Sequence, residues 1–136
     1  MYILLIDEYA GQANHFVFFA GVRSDYSQKR YLDETRRLFS VVEDRLRETG
    51  NYLAGNKYSI ADIVNWSWIQ AADSLDIDLE KEFPAVYKWV EEISQRPAVQ
   101  KGKNIPPRKF SAEKFKEFVE QKKASIRAME NTDKHP

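Results

Sequence analysis

The chain has 136 residues, 43% hydrophobic and 13% aromatic, with 21 Lys+Arg against 21 Asp+Glu. That length and composition suit one domain with a real core rather than a disordered chain. Zero net charge argues against a general nucleic-acid or membrane-surface binder, and the lack of cysteine excludes disulfides, thiolate metal sites and cysteine nucleophiles. A cytoplasmic location is the default expectation.

Met1–Ile6 is apolar and is followed at once by Asp7 and Glu8. The run is far too short to span a bilayer and lacks the basic start of a signal peptide. It is the one candidate for a short strand in the chain. From Asp25 the pattern turns helical. Asp25 and Gln28 have capping-box spacing, and Tyr31, Thr35, Leu38, Val42 and Leu46 form a stripe widened by Leu32 and Phe39. Arg36, Arg37, Glu43, Asp44 and Arg45 fill the polar positions. Gly50 and Asn51 end this helix near Thr49.

The sharpest start signal is Ser59, with Asp62 three residues on. Each side chain can accept from an otherwise orphaned backbone N–H, and Tyr58 and Ile63 take the staple positions. Ile60, Ile63, Val64, Trp68, Ala71, Ala72 and Leu75 follow as an apolar run. Trp66 and Trp68 lie about 200° apart around a helix, so one faces the core and the other a second surface. Pro84 suits the first turn of a third helix, whose stripe is Phe83, Val86, Tyr87, Val90 and Ile93 and whose end is Arg96-Pro97. Lys101–Lys109, with Pro106-Pro107, reads as an extended connection. Ser111 caps a last helix carrying Phe115, Phe118, Val119, Ile126 and Met129 on one side, and Asn131 onward reads as a frayed tail. The fold class is all-α.

Gly55-Asn56-Lys57-Tyr58-Ser59-Ile60-Ala61-Asp62 resembles the glutathione transferase signature: a glycine turn, then a Ser/Thr…Asp capping box opening the central helix of the C-terminal domain. Ile63-Val64-Asn65-Trp66-Ser67-Trp68 is similar to the continuation of that helix. Phe83-Pro84-Ala85-Val86-Tyr87-Lys88-Trp89-Val90 and Arg96-Pro97-Ala98-Val99 resemble the family's next helix. Gly11-Gln12-Ala13-Asn14-His15-Phe16 and Arg30-Tyr31-Leu32-Asp33-Glu34-Thr35 look like the fungal, Ure2-like and Nu-class-like subgroup. The resemblance implies a glutathione-transferase C-terminal-like helical bundle over residues 11–105. Residues 1–10 form an atypical start in place of most of the family's first helix, and 106–136 a linker, charged helix and tail. Nothing in the sequence resembles the family's thioredoxin-like half, which binds glutathione and supplies the group that activates its thiol.

No catalytic residue is therefore assigned. The resemblance places Arg30 near the domain cleft, where it would bind a glutathione carboxylate; helical spacing alone gives a surface arginine paired with Asp33 or Glu34. By the same resemblance, Asn14, His15, Phe16 and Phe19 border the electrophile pocket, an apolar site with a few polar groups. The alternative makes Phe16 and Phe19 core residues and His15 a polar neighbour. Ser59 and Asp62 are structural, and Trp66, Trp68 and Trp89 read as core. His15 and His135 are the only histidines, without metal-ligand spacing around them, so no metal is expected. Nine Lys/Arg stand against three Glu between Pro97 and Arg127, which reads as a solvated helix face rather than an RNA or phosphoprotein site.

Two functions follow from the resemblance. One is glutathione conjugation or thiol chemistry on small electrophiles, in detoxification or secondary metabolism. Glutathione would be a cosubstrate once a thioredoxin-like half is supplied, no cofactor would be tightly bound, and the isolated chain would be inactive. The other is a non-enzymatic interaction module, as in elongation factor 1 gamma or Ure2. Expected partners are glutathione, a small electrophile, the missing thioredoxin-like domain or a second copy of the chain, with neither nucleic acid nor membrane.

Overall fold

A computed structural model describes residues 2–103, 105 and 111–133. Among these residues seven α-helices follow in chain order: α1 (Tyr2–Asn14), α2 (Asp25–Thr49), α3 (Ile60–Ile69), α4 (Leu79–Glu82), α5 (Pro84–Ser94), α6 (Pro97–Gly102) and α7 (Ala112–Asp133). A π turn, His15–Phe19, extends α1, and a 3₁₀ turn, Ala72–Leu75, follows α3. Among the described residues there is no strand, only an isolated bridge between Tyr52 and Gly55. No described helix is long and apolar enough to cross a membrane. Of the predicted extended connection Lys101–Lys109, Lys101 and Gly102 belong to α6 instead, while Pro106 to Lys109 and the second histidine, His135, lie outside the described residues.

The expected strand at the start is helix instead, from Tyr2 onward. Its buried positions Ile6, Ala10, Ala13 and Val17 recur at helical spacing, but the two alanines carry little hydrophobic signal. Small residues let α1 lie close to its neighbours: a Cβ on Gly11 would already touch the Trp68 ring at 3.5 Å. Packed on α1, the long helix α2 buries Leu32, Thr35, Leu38, Phe39, Val42 and Leu46, as the stripe predicts. Its cap is Ser24, one residue before the expected Asp25: Ser24 Oγ accepts from Ser27 N at 3.3 Å. Gly50 closes the helix at φ 83°, a left-handed conformation that favours glycine.

At the start of α3 the predicted capping box forms. Ser59 Oγ accepts from Ala61 N at 3.2 Å, and Asp62 Oδ2 accepts from Ser59 N at 2.9 Å. Asp62 Oδ1 also accepts from Leu53 N (3.0 Å) and Trp89 Nε1 (3.1 Å), so the box ties the preceding loop and α5 to one buried carboxylate. The phase of α3 differs from expectation. Ile60 and Ile63 are 76% and 51% exposed, and the buried face is Asp62, Asn65, Trp66 and Ile69. Tyr58, at the staple position, packs on Tyr52, under Arg96 and against the core. Trp66 faces the core and sends Nε1 to Val90 O, while Trp68 is half-buried.

Pro84 opens α5 as predicted, and Phe83, Val86, Val90 and Ile93 are buried. Tyr87 is partly exposed, and Trp89 takes the core position instead. No local side chain caps this helix. Glu43 does so from α2: its carboxylate accepts from Ala85 N (3.1 Å) and Val86 N (2.9 Å) and pairs with Arg47. Glu43 is thus a buried residue, not the surface residue its polar register suggested. Arg96-Pro97 ends α5, and the chain turns at once into α6. Ser111 caps α7 through Lys114 N. In α7 Val119, Ile126 and Met129 are buried, whereas Phe115 and Phe118 are exposed, and the helix runs on through Asn131 to Asp133.

Candidate functional site

The end of α1 positions the first candidate residues. Asn14 Nδ2 donates back to Ala10 O at 2.9 Å, fixing that side chain against its own helix. The next turn widens: Ala20 N donates to His15 O at 2.8 Å, a five-residue spacing. A helix end leaves carbonyls without partners. Gln28, buried in the first turns of α2, satisfies one by donating Nε2 to Phe16 O at 2.9 Å.

The wide turn separates the four residues expected to act together. Phe16 stacks on Tyr31, with ring centroids 5.3 Å apart and planes at 10°, and His15 meets Phe16 edge-on. Asn14 and Phe19, joined by Phe18, line a cavity of about 510 Å³. Its other walls are the end of α3 and the 3₁₀ turn, with Gln70 and Ser74, and α7, with Phe115 and Phe118. His15 and Phe16 do not line it. Phe18 packs on Phe118 at 5.7 Å between centroids, closing the seam between the π turn and α7. The size and apolar character suit a small-molecule site.

Arg30 lies apart, in a second cleft of about 460 Å³ with Tyr9, Asp33, Glu34 and Arg37. The ion pairs expected for it go to its neighbours: Lys29 holds Asp33 at 3.3 Å and Arg37 holds Glu34 at 2.7 Å. Among the described residues the Arg30 side chain makes no hydrogen bond or ion pair. Glu34 stays below the usual carboxylate range through its hydrogen bond to Arg37, outweighing a small burial penalty, with the charges of Arg37 and Arg30 adding to the effect. Among the described residues, no group of three or more His, Asp or Glu is arranged to hold a metal.

Gln28, Phe18 and the Phe115–Phe118 pair were not singled out by sequence as site residues. Gln28 looked like part of a cap, and the two α7 phenylalanines looked like core. What they share is exposure or a long-range partner, which periodicity does not report.

The fold and this arrangement define a class: a helical domain in which the end of the first helix, the segment after α3 and the last described helix frame an apolar cavity, with Arg30 in a neighbouring cleft. Residues 10–97 match the family described as "Glutathione S-transferase, C-terminal domain". The chain belongs to the glutathione S-transferase family, as its C-terminal helical domain.

It is 44% identical over 88 residues to the disulfide-bond oxidoreductase YfcG of Escherichia coli, covering 65% of this chain and 40% of the relative. It is 33% identical to the transcriptional regulator URE2 of Saccharomyces cerevisiae, covering 67% of this chain and 34% of the relative. The chain thus spans well under half of the curated relatives it matches. Among solved structures, Ure2p in complex with glutathione matches at TM-score 0.66 and 36% identity, over 70% of this chain and 47% of that one. A glutathione transferase homolog from Lodderomyces elongisporus, with two glutathione molecules per subunit, matches at 0.73 and 35%, over 78% of this chain and 50% of that one.

Proposed function

We propose that this chain supplies the electrophile-binding wall and an anion-recognising arginine to a glutathione-dependent reaction on small electrophiles. The thiol of glutathione would be bound and activated by a thioredoxin-like half, on the same polypeptide or another. Asn14 and Phe19 would face the electrophile, together with Phe18. His15 and Phe16 would support that wall from the Tyr31 side, and Arg30 would meet a glutathione carboxylate. Without the thioredoxin-like half the chain would not turn over, because the family's thiol-activating donor belongs to that half. The reading is supported chiefly by the match to proteins solved with glutathione bound, taken together with the cavity against α1. Detoxification or secondary metabolism in the cytoplasm would be its setting, and a dimer its working form.

The test is conjugation of 1-chloro-2,4-dinitrobenzene to glutathione, by the chain alone and mixed with a recombinant thioredoxin-like half of a relative. Activity is expected only in the mixture. Arg30→Ala should raise the KM for glutathione about fivefold or more, and Phe19→Ala should raise that for the electrophile. A mixture that binds glutathione no better than the thioredoxin-like half alone would sink the proposal. A non-enzymatic interaction module is the second reading, favoured by the likeness to a transcriptional regulator. A single stoichiometric protein partner together with inactivity in the mixture would support it.

A further inference from the structure

We infer that Gln28 is a positioning residue for the cavity: its amide keeps the turn after α1 wide, and through that turn sets Phe18 and Phe19 in the wall. The inference rests on the proposed reading of the cavity as the electrophile site. It gives the upkeep of that wall to a residue that does not itself line it.

The case starts from competition for one carbonyl. In an ordinary α-helix the N–H of Ala20 would donate to Phe16 O, four residues back. Here it donates to His15 O instead, at 2.8 Å. Phe16 O thereby loses its helical donor, and Gln28 Nε2 donates to it at 2.9 Å. With the wide turn, Ala20 N and Gln28 Nε2 each have an acceptor. With a four-residue turn, Ala20 N would take the position on Phe16 O that Gln28 now holds, and a buried amide N–H would lose its partner.

Nothing in the turn itself calls for the extra width. His15-Phe16-Val17-Phe18-Phe19 contains neither Gly nor Pro, the residues least compatible with a regular helix. Packing fixes the inner side of the turn, where Val17 is buried and Phe16 stacks on Tyr31 at 5.3 Å. Phe18 and Phe19 lie beyond those anchors, so their direction follows from which carbonyl Ala20 N reaches. In the wide form both line the cavity, and Phe18 meets Phe118 of α7 at 5.7 Å.

Gln28 is suited to this task because little else claims it. Ser24 rather than Asp25 caps α2, so Gln28 lies one residue beyond the third helical position that a capping box uses. Only 5% of the residue is exposed. Among the described residues its Oε1 has no hydrogen-bond partner, so the bond to Phe16 O is what orients the amide. An apolar side chain of the same length would fill the space without an unmet polar atom. The glutamine is set apart by its N–H, not by its bulk.

The experiment compares the full chain with Gln28→Met, which keeps length and bulk but has no donor. Scalar couplings across hydrogen bonds, measured by NMR, report which carbonyl each N–H reaches. The wild type should show Gln28 Nε2 coupled to the Phe16 carbonyl and Ala20 N to that of His15. In Gln28→Met the Ala20 coupling should move to Phe16. Gln28→Met should also bind the neutral dye N-phenyl-1-naphthylamine about fivefold more weakly, with its urea midpoint at or above that of the wild type. Weaker binding without lost stability separates positioning from a structural role. In double-mutant cycles Gln28→Met should add nothing to Phe19→Ala, yet keep its full effect beside Phe115→Ala on the opposite wall. An Ala20 coupling to Phe16 in the wild type, or one that stays on His15 in Gln28→Met, overturns the inference whatever the dye does. So does a collapsed urea midpoint, which would make the role structural. If Gln28→Met binds the dye like wild type while Phe19→Ala weakens it, Gln28 positions nothing and the cavity reading survives. If Phe18→Ala, Phe19→Ala and Phe115→Ala all bind the dye unchanged, the cavity reading falls and takes the role of Gln28 with it.

Discussion

Asp62 is fully buried, with two oxygens committed to donors from three parts of the chain: the loop at Leu53, the helix start at Ser59, and Trp89 in α5. Asp62→Ala strands those N–H groups where water cannot replace the lost acceptor, and a loss of about 3 kcal/mol or more is expected. Asp62→Asn keeps one acceptor oxygen but turns an amide NH2 toward a donor, so roughly half of that loss should remain. Ser59→Ala removes only the local cap and should cost about 1 kcal/mol. Urea unfolding at constant m-value checks the order of the three, and a Ser59 effect as large as that of Asp62 would contradict the shared-anchor account. Glu43 works in the same way one helix away. Glu43→Ala uncaps α5 and should cost about 2 kcal/mol, visible as a lower urea midpoint.

At the scale of elements, α7 is attached by a strip of apolar contacts and by two ion pairs: Lys123–Asp73, a buried lysine on an exposed carboxylate, and Arg127–Asp76. Burial of the Lys123 amine alone would lower its pKa, but the hydrogen bonds and charges of Asp73 and Glu120 outweigh this and leave it above the ordinary 10.5. A raised lysine pKa stabilises the fold fully below the unfolded value and ceases to do so as pH rises through the folded one. Tyr52 acts in the same direction, its hydroxyl held above 10.0 by the hydrogen bond to Glu92. Stability by urea unfolding should therefore stay level with respect to these two groups up to about pH 10 and fall above it. Lys123→Met and Tyr52→Phe should each remove part of that alkaline decline; if neither does, these contacts are not what titrates. The same elements show what was legible in the sequence. Caps are local chemistry, so Ser59, Pro84, Gly50 and Ser111 could be read directly. The phase of α3 could not, because its buried face includes Asp62 and Asn65, whose partners lie elsewhere in the fold. At the site, the resemblance pointed to the end of α1, but the π turn sends Asn14 and Phe19 to the cavity and Phe16 to Tyr31. Helical spacing offered no sign of that split.

For the whole molecule, zero net charge combines with apolar side chains left on the outside. Ile60 and Ile63 stand out on α3, and Phe19 and Val22 beyond α1. Groups of this kind promote association when charge repulsion is weak. Light scattering should give masses above 15.9 kDa that rise with concentration, most steeply near the pI of about 6.7. Ile60→Lys with Ile63→Lys should reduce the effect; a concentration-independent monomer would contradict it. The widened turn after Asn14 has a different consequence, one of chain length. A five-residue hydrogen-bond spacing holds one residue more than an ordinary helical turn needs. Excising a single residue between His15 and Phe19 would let the backbone relax to four-residue spacing and swing everything beyond it by about 100°. The phenylalanines of that segment would change sides with their chemistry intact, so the wall facing α7 can be dismantled by a shorter backbone as surely as by altered side chains.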